Sequence, residues 1–292
     1  MIDPVALKAW PFADTVHCYT ADDAMRYALA LGVGRDPTDA RQLQFVNDTA
    51  AGAPLALPTL AVVLGYPGSW MQDPATGIDF TQIVHGEEKV VWHRPLPAAG
   101  TVVARHRVTR IVDKGPGRGA TITYDKDLFD HASGEALATV THTTFARGNG
   151  GFATKEAPGD AAPPASAPVP TRTPDEVADI PTLPQQALLY RLCADRNPLH
   201  SDPDVARDAG FERPILHGLC TWGIVGHAVL AHCCGHDPAR LKSLFARFSA
   251  PVLPGETLRV EMFREGRDVR FRARVVERDC VVLDHGHAVI EP

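Results

Sequence analysis

The 292-residue chain lacks the features that define several large protein classes. It has no excess of basic residues, because 29 Lys and Arg stand against 35 Asp and Glu and give a net charge of −6. A nucleic-acid-binding protein is usually basic, so we expect no nucleic-acid partner. No run of about 18 apolar residues could span a membrane, and no basic segment followed by an apolar one opens the chain as a secretory signal does. We therefore expect no membrane partner.

Cysteine is scarce and follows no disulfide framework. The chain has six cysteines, of which Cys233 and Cys234 are adjacent. We interpret them as reduced thiols of a cytosolic protein. The last residues do not match the Ser-Lys-Leu type of peroxisomal address, so the cytoplasm is the expected location. At 45% apolar and 22% charged residues, the chain can bury its core unaided and is long enough for two domains of roughly 100–150 residues.

One segment separates the chain into two halves. Residues 153–174 read ATKEAPGDAAPPASAPVPTRTP, a composition rich in Pro and Ala that cannot pack a core and favours extended polyproline II. It predicts an N-terminal domain of residues 1–152, a linker of residues 153–174 and a C-terminal domain of residues 175–292.

The two halves carry similar patterns. Apolar residues alternate with polar ones on both sides of a turn at 266–268, and three further strands are predicted at 102–112, 120–124 and 136–145. The apolar stretch 217–234 follows Pro214 and ends at Gly235, which predicts a buried central helix. An offset of 156 residues places Pro58-Thr59-Leu60 on Pro214-Ile215-Leu216. These patterns predict an α+β fold in which a central helix wrapped by an antiparallel sheet occurs twice.

The polar chemistry lies in one half only. Asp195, Asn197 and His200 fall on a short connection, because Pro198 ends any helix there, and residues 39–44 at the equivalent position lack this motif. Taken alone, these residues fit capping and turn roles as well as catalytic ones. Gly218 opens the predicted helix with a free backbone N–H at the positive end of the helix dipole, where it could polarise a carbonyl oxygen; close helix packing is the alternative.

Two motifs in the C-terminal half resemble a known family. Asp-x-Asn-Pro-Leu-His at 195–200, followed by Pro-Ile-Leu-His-Gly-Leu-Cys-Thr at 214–221, is similar to the signature of MaoC-like, R-specific enoyl-CoA hydratases, the hydratase 2 family. The N-terminal half resembles the long form of this family, the hydratase unit of peroxisomal multifunctional enzyme type 2. The matching stretches are Tyr27-Ala28-Leu29, Gly32-Val33-Gly34, Leu57-Pro58-Thr59, His85-Gly86-Glu87 and Pro95-Leu96-Pro97. The chain departs from the pattern at Ala194, where Gly is common, and at Leu60, where an aromatic residue often follows the Thr.

The resemblance implies a double hot-dog fold whose degenerate N-terminal half widens an acyl-chain tunnel. It implies that Asp195 and His200 hold and activate the water that adds across the 2,3 double bond of an enoyl-CoA, and that Asn197 orients this pair. Gly218 is then expected to hold the thioester oxygen as the enolate develops. The positions that match CoA contacts are His85, Gly86, Lys114 and Arg247. The product would be a (3R)-3-hydroxyacyl-CoA, the protein a homodimer, and no cofactor besides the CoA of the substrate is expected.

Other functions and sites stay open beside this one. A hot-dog thioesterase would attack the same thioester at its carbonyl carbon, a related dehydratase would act on branched or dicarboxylic 3-hydroxyacyl-CoAs, and a non-catalytic subunit would only bind acyl-CoA. A metal is not expected at the tract ending the central helix, because His227 and His232 lie about 140° apart around a helix. Residues 115–119 lack the ending of a phosphate loop and predict a hairpin turn.

Overall fold

The computed structural model describes residues 1–49, 54–193 and 195–291. The helices in these ranges are α1 Pro4–Lys8, α2 Ala21–Ala30, α3 Ala40–Leu43, α4 Gln186–Tyr190, α5 Pro203–Asp208 and α6 Gly218–Cys234. The strands are β1 Thr15–Tyr19, β2 Ile83–Trp92, β3 Gly100–Asp113, β4 Ala120–Asp130, β5 Ala136–Ala146, β6 Glu176–Pro181, β7 Leu241–Phe248, β8 Thr257–Glu265, β9 Asp268–Val275 and β10 Cys280–Ile290. No helix of the described ranges is long and apolar enough to cross a membrane.

The strands form one antiparallel sheet in the order β1-β3-β4-β5-β2-β7-β10-β9-β8-β6. Counted outward from the middle, the N-terminal strands run 2-5-4-3-1 and the C-terminal strands 7-10-9-8-6, so both halves use the same order. The halves join where β2 pairs with β7, from Glu87 opposite Arg247 to Val91 opposite Ser243. This shared order is what the predicted duplication requires.

The predicted central helix of the C-terminal half is present as α6. It ends, as predicted, at Gly235, whose φ of 63° is the left-handed conformation that favours glycine. Trp222 is fully buried. A Cβ on Gly226 would lie 2.6 Å from Cγ2 of Thr59, so the absence of a side chain at Gly226 lets α6 press against the N-terminal half. The hydrophobic core around α6 therefore contains residues of both halves.

The N-terminal half differs from the expected repeat because it has no α-helix at the position of α6. Residues 62–78, which the offset places on α6, hold only the end of a 3-10 turn at Pro58–Val62 and the 3-10 turns Trp70–Gln72 and Pro74–Thr76. Gly65, Pro67, Gly68 and Pro74 interrupt this stretch, and such residues disfavour a helix interior. The expectation of a central helix in both units is thus corrected for this half, which was predicted to be degenerate, whereas its sheet follows the prediction.

Lys126 stabilises the shortened turn. Its Nζ donates to the carbonyl oxygens of Ala61, Val62 and Leu64 at 3.0, 2.9 and 2.6 Å. Burial lowers the pKa of Lys126 to about 8. The buried ammonium group therefore supplies hydrogen bonds to carbonyls that a continued helix would have satisfied through its own backbone.

The segment 153–174 contains no helix or strand. It nevertheless contacts the N-terminal half, since Asp160 Oδ2 accepts a hydrogen bond from Ile111 N at 2.7 Å and Asp160 Oδ1 pairs with Lys8 Nζ at 2.5 Å. The backbone oxygen of Ala167 lies 3.3 Å from His285 Nδ1 on β10. The segment therefore runs across both halves, and the predicted domain boundaries at 152 and 175 stay a prediction.

Candidate active site

Asn197 organises the connection that carries the predicted catalytic motif. Its Oδ1 accepts a hydrogen bond from Leu199 N at 3.0 Å and caps the 3-10 turn Pro198–His200, and its backbone oxygen accepts from His200 N. Its own N–H donates to Asp195 Oδ1 at 2.9 Å. Asn197 thus holds Asp195 and His200 through the backbone, and no hydrogen bond joins its side chain to either of theirs within the described ranges.

His200 is a buried imidazole, one of whose ring nitrogens is hydrogen-bonded to the backbone. Nδ1 lies 2.9 Å from the backbone oxygen of Ile215, which can only accept, so Nδ1 carries the proton and Nε2 keeps a lone pair. Only 8% of the residue is exposed, and burial lowers its pKa. The neutral ring is therefore the dominant form near pH 7, with Nε2 available as a base.

His217 packs against the ring of His200. Their rings stack with centroids 3.8 Å apart at 29°, and His217 Nε2 donates to the backbone oxygen of Asp195 at 3.0 Å. Burial, followed by the neighbouring His200, lowers the pKa of His217 to about 3. His217 is thus a neutral spacer that ties the start of α6 to the Asp195 connection.

Asp195 lies at the open side of the cluster. Its residue is exposed, while one carboxylate oxygen, one ring nitrogen of His200 and one of His217 all lie within 4.8 Å of one another. Two acceptors at this separation can share one water molecule at ordinary hydrogen-bond distances from each. The arrangement can therefore hold a water between a carboxylate and an imidazole base.

Gly218, with its backbone N–H, follows directly after His217, whose ring stacks on His200. It is the first residue of α6, and its N–H has no acceptor in the part of the chain that the structure describes. A Cβ at this position would lie 3.1 Å from Cε1 of Phe248, so a side chain would narrow the space between the helix start and that ring. Both the oxyanion and the packing interpretation of Gly218 fit this geometry.

Phe248 connects the two halves at the site. Its ring packs against His85 of β2, with ring centroids 4.3 Å apart. His85 meets Glu88 three residues along the same strand because β2 has a bulge between His85 and Glu87, which brings both side chains to one face. Gly86 is the bulged residue, and a Cβ there would lie 3.1 Å from Thr143 O. The pair His85-Gly86 is therefore explained by the bulge.

Comparisons with known proteins place this site in a family. A model of the MaoC like domain matches residues 165–285, and a model of the MFE-2 hydratase 2 N-terminal domain matches residues 17–148. Enoyl-CoA hydratase ChsH3 of Mycobacterium tuberculosis is 38% identical over 273 residues, which cover 92% of this chain and 91% of that protein. The chain belongs to the MaoC-like hydratase 2 family.

Two further relatives of the hydratase 2 family agree over nearly the whole chain. Peroxisomal enoyl-CoA hydratase 2 of Arabidopsis thaliana is 36% identical over 286 residues, covering 95% of this chain and 92% of that protein. The crystal structure of a MaoC-like dehydratase from Phytophthora capsici superposes with a TM-score of 0.86 at 34% identity and covers 98% of both chains. The predicted family and the double hot-dog fold are confirmed.

Two further residues were assigned to CoA by the resemblance, Arg247 and Lys114. Arg247 lies at the pairing of β2 with β7, which we call the seam between the halves. Arg247 donates from Nε and Nη2 to Glu87 Oε1 at 2.9 and 2.7 Å, across the β2–β7 pair, and keeps 42% of its side chain exposed. Lys114 is exposed and lies 4.6 Å from the ring centroid of Phe145, which neighbours Gly86. Arg247 is thus the neighbour of Phe248 on β7, and Lys114 is an exposed cation beside Phe145 on β5.

Four residues of the site were missed from the sequence as functional positions: His217, Phe248, Glu88 and His142. His217 stood inside the quoted motif and Phe248 beside Arg247, so both could have been singled out there. Glu88 and His142 meet only through strand pairing, where they lie opposite each other on β2 and β5. No signal in the linear sequence joins residues 54 positions apart.

Groups of three metal-ligating side chains occur twice in the described ranges, at His85, Glu88 and His142 and at Asp195, His200 and His217. Neither is the tract at 227–236 that was weighed as a metal site. In each group several ligand atoms already hydrogen-bond to a carboxylate or a backbone oxygen. Hydrogen bonding therefore accounts for both groups.

Proposed function

We propose that the protein hydrates trans-2-enoyl-CoA to (3R)-3-hydroxyacyl-CoA. The observation that carries the proposal is His200: its Nδ1–H donates to Ile215 O, which leaves Nε2 free as a base, and one of its ring nitrogens lies within 4.8 Å of an Asp195 carboxylate oxygen. Membership of the hydratase 2 family supports the reaction type, and enoyl-CoA hydratase ChsH3 is similar over 92% of the chain. In this enzyme Asn197 positions both catalytic residues.

The reaction follows from these groups. Asp195 and His200 hold one water, His200 Nε2 takes a proton from it, and the oxygen adds to C3 of the enoyl group. The electron pair moves onto the thioester oxygen, where the Gly218 N–H and the positive end of α6 stabilise the developing charge. The Asp195–His200 pair then delivers a proton to C2, on the face to which the water added. Dehydration uses the same groups in reverse.

The substrate would lie along the seam. His85, Gly86, Lys114 and Arg247 would contact the CoA portion, because they match the CoA contacts that the family resemblance implies and His85 packs against Phe248. The acyl chain would enter the N-terminal half, where a cavity of about 190 Å³ adjoins Leu192 and Cys193, just before the catalytic motif. Its other walls include Tyr27, Leu60 and Val63. No cofactor besides this CoA is proposed.

The decisive experiment mixes purified protein with trans-2-enoyl-CoAs of several chain lengths and follows the absorbance of the conjugated thioester, with free thiol measured in parallel. Asp195→Ala and His200→Ala should each lower kcat by about 10²–10⁴-fold. Asp208→Ala, at an exposed aspartate of α5, is the matched control and should retain activity.

The outcomes separate the alternative functions. Loss of absorbance without thiol release, abolished in both catalytic variants, supports hydration. Thiol release identifies a thioesterase, and binding without turnover identifies an acyl-CoA-binding subunit. Turnover restricted to branched or dicarboxylic substrates identifies the specialised dehydratase.

We also propose a homodimer in the cytoplasm. Light scattering on the purified protein tests the dimer, since a monomer would give a mass near 31.5 kDa. The Arabidopsis relative is named peroxisomal, so microscopy of a tagged protein in its own cells is the test of the compartment.

A further inference from the structure

A buried carboxylate in the N-terminal half holds two imidazoles at once. Glu88 Oε2 lies 3.0 Å from His85 Nε2 and 3.0 Å from His142 Nδ1. The carboxylate is only 2% exposed, whereas each imidazole keeps 21% of its side chain exposed. The two rings lie against each other with centroids 3.8 Å apart. A fixed anion therefore sets the orientation of both rings, and each ring keeps an open side.

The hydrogen bonds determine which nitrogens carry protons. His85 Nε2 faces Glu88 Oε2 and also Glu87 O at 3.2 Å, and both of these oxygens are acceptors while the carboxylate is ionised. Burial alone would raise the pKa of Glu88, but the hydrogen bonds from His142 and His85 outweigh it and lower that pKa to about 2. Burial, followed by the charge of His142, lowers the pKa of His85 to about 4, so this ring is neutral near pH 7. Nε2 of His85 then bears its only proton and Nδ1 is an acceptor.

His85 lies one aromatic ring away from the proposed thioester site. Its ring packs on Phe248, and Phe248 Cε1 lies 3.1 Å from the position of a Cβ on Gly218. A thioester oxygen bound at Gly218 N–H would place the sulfur and the start of the pantetheine arm beside Phe248. The first polar group along that arm is a secondary amide two carbons from the sulfur, and its N–H requires an acceptor.

We propose that Glu88 is a positioning residue that fixes His85 as the hydrogen-bond acceptor for an amide N–H of the pantetheine arm. This inference rests on the proposed function, because it assumes that a CoA thioester occupies the seam. If His85 could adopt either tautomer, some molecules would carry the proton on Nδ1, and that N–H would face the amide N–H without an acceptor. The Glu88 carboxylate disfavours this tautomer because it requires a proton on His85 Nε2. His142 Nδ1 binds the same carboxylate oxygen and keeps it in place.

The test compares the wild type with Glu88→Gln. The Gln amide is nearly isosteric with the carboxylate but can donate as well as accept a hydrogen bond. It therefore no longer requires a proton on His85 Nε2. Binding of CoA and of adenosine 3′,5′-bisphosphate, which lacks the arm, is measured by calorimetry. We expect Glu88→Gln to weaken CoA by about 10-fold, a loss typical of one hydrogen bond, and to leave the bisphosphate unchanged. Asp125→Asn is the matched control, since Asp125 is a carboxylate of β4, the strand beyond β5, and accepts from Arg107 and Thr141.

A second measurement reports the tautomer itself. Imidazole ¹⁵N NMR of the wild type should show His85 protonated at Nε2 and His142 at Nδ1, and Glu88→Gln should release this fixed state. In kinetics, Glu88→Gln should raise KM for an enoyl N-acetylcysteamine thioester, which keeps the amide, and not for the ethyl thioester, which lacks it.

The inference is overturned if CoA and the bisphosphate weaken equally, if both thioesters lose activity equally, or if wild-type His85 is protonated at Nδ1. Those results would make Glu88 a structural residue while leaving hydration by Asp195 and His200 intact. Absence of hydration in the wild type, with the binding difference and the fixed tautomer present, would refute the proposed function and leave the role of Glu88 toward CoA standing.

Discussion

Protonation of His217 should make the protein lose stability in mild acid. The residue is 2% exposed, and burial together with His200 lowers its pKa to about 3 in the folded protein, against about 6.5 in an unfolded chain. Below pH 6.5 the unfolded chain therefore binds a proton that the folded chain excludes. The stability contributed by the neutral ring is complete above pH 6.5 and declines as the pH falls toward 3.

The magnitude follows from the size of this window. At pH 5 the solution lies about 1.5 pH units below the unfolded pKa, and at 1.36 kcal/mol per unit the free energy of unfolding falls by about 2 kcal/mol relative to pH 8. His217→Phe keeps an aromatic ring against His200 and Tyr190 and removes the titration. The variant loses the hydrogen bond to Asp195 O, so at pH 8 it should be less stable by about 1 kcal/mol.

The measurement is urea unfolding of both proteins at pH 8, 7, 6 and 5, followed by circular dichroism. We expect the difference between pH 8 and pH 5 to be smaller in His217→Phe by about 2 kcal/mol. His131→Gln, at an exposed turn between β4 and β5, controls for the loss of one histidine. If His217→Phe and the wild type lose stability in parallel, the folded protein accepts a proton at His217, and the neutral-spacer interpretation is refuted.

Four further predictions concern the acyl cavity, the fold and catalysis. Val63→Trp should fill part of the cavity of about 190 Å³ and lower kcat/KM for long-chain enoyl-CoAs more than for crotonyl-CoA; an equal loss would place the chain elsewhere. Lys126→Met should lower the free energy of unfolding by about 3 kcal/mol, because three buried carbonyls lose their donor, and thermal unfolding checks this. Gly226→Ala should cost about 1–3 kcal/mol in the same assay, since its Cβ would lie 2.6 Å from Thr59 Cγ2, and an unchanged midpoint would contradict the close contact. Since burial lowers the pKa of His200 and the neutral ring is the base, the acid limb of kcat/KM should fall below pH 6.5; a limb above that value would argue against His200 as the base.

Much of the C-terminal half could be predicted from the sequence because its signals are local. Pro214 and Gly235 bracket α6, and strict alternation marks the hairpin of β8 and β9. The catalytic motif is also local, since Asp195, Asn197 and His200 lie within six residues and one capped turn orders them. Ala194 lies outside the described residues, so the departure from the family pattern there has no structural account.

The N-terminal half was less predictable because its helix is replaced by long-range contacts. The residues that satisfy the shortened turn come from β4 and β2: Lys126 donates to three carbonyls and Trp92 Nε1 donates to Pro58 O at 2.9 Å. Neither contact has a sequence spacing that would reveal it. The breakers Gly65 and Pro67 were present in the sequence, and weighting them above the 156-residue offset would have predicted the loss of the helix.

Loss of that helix also explains why the site lies at the seam between β2 and β7. A helix at 62–78 would pack against the inner face of the N-terminal strands, where Glu88 on β2 and His142 on β5 now lie opposite each other. Its absence allows this face to hold polar side chains, and the bulge at Gly86 turns His85 toward Phe248. The C-terminal half keeps α6, which begins at Gly218, where a Cβ would lie 3.1 Å from the same Phe248 ring. A substrate with a reactive thioester and a polar arm needs a helix terminus on one side and a helix-free, polar surface on the other, so two unequal halves suit it better than two identical ones.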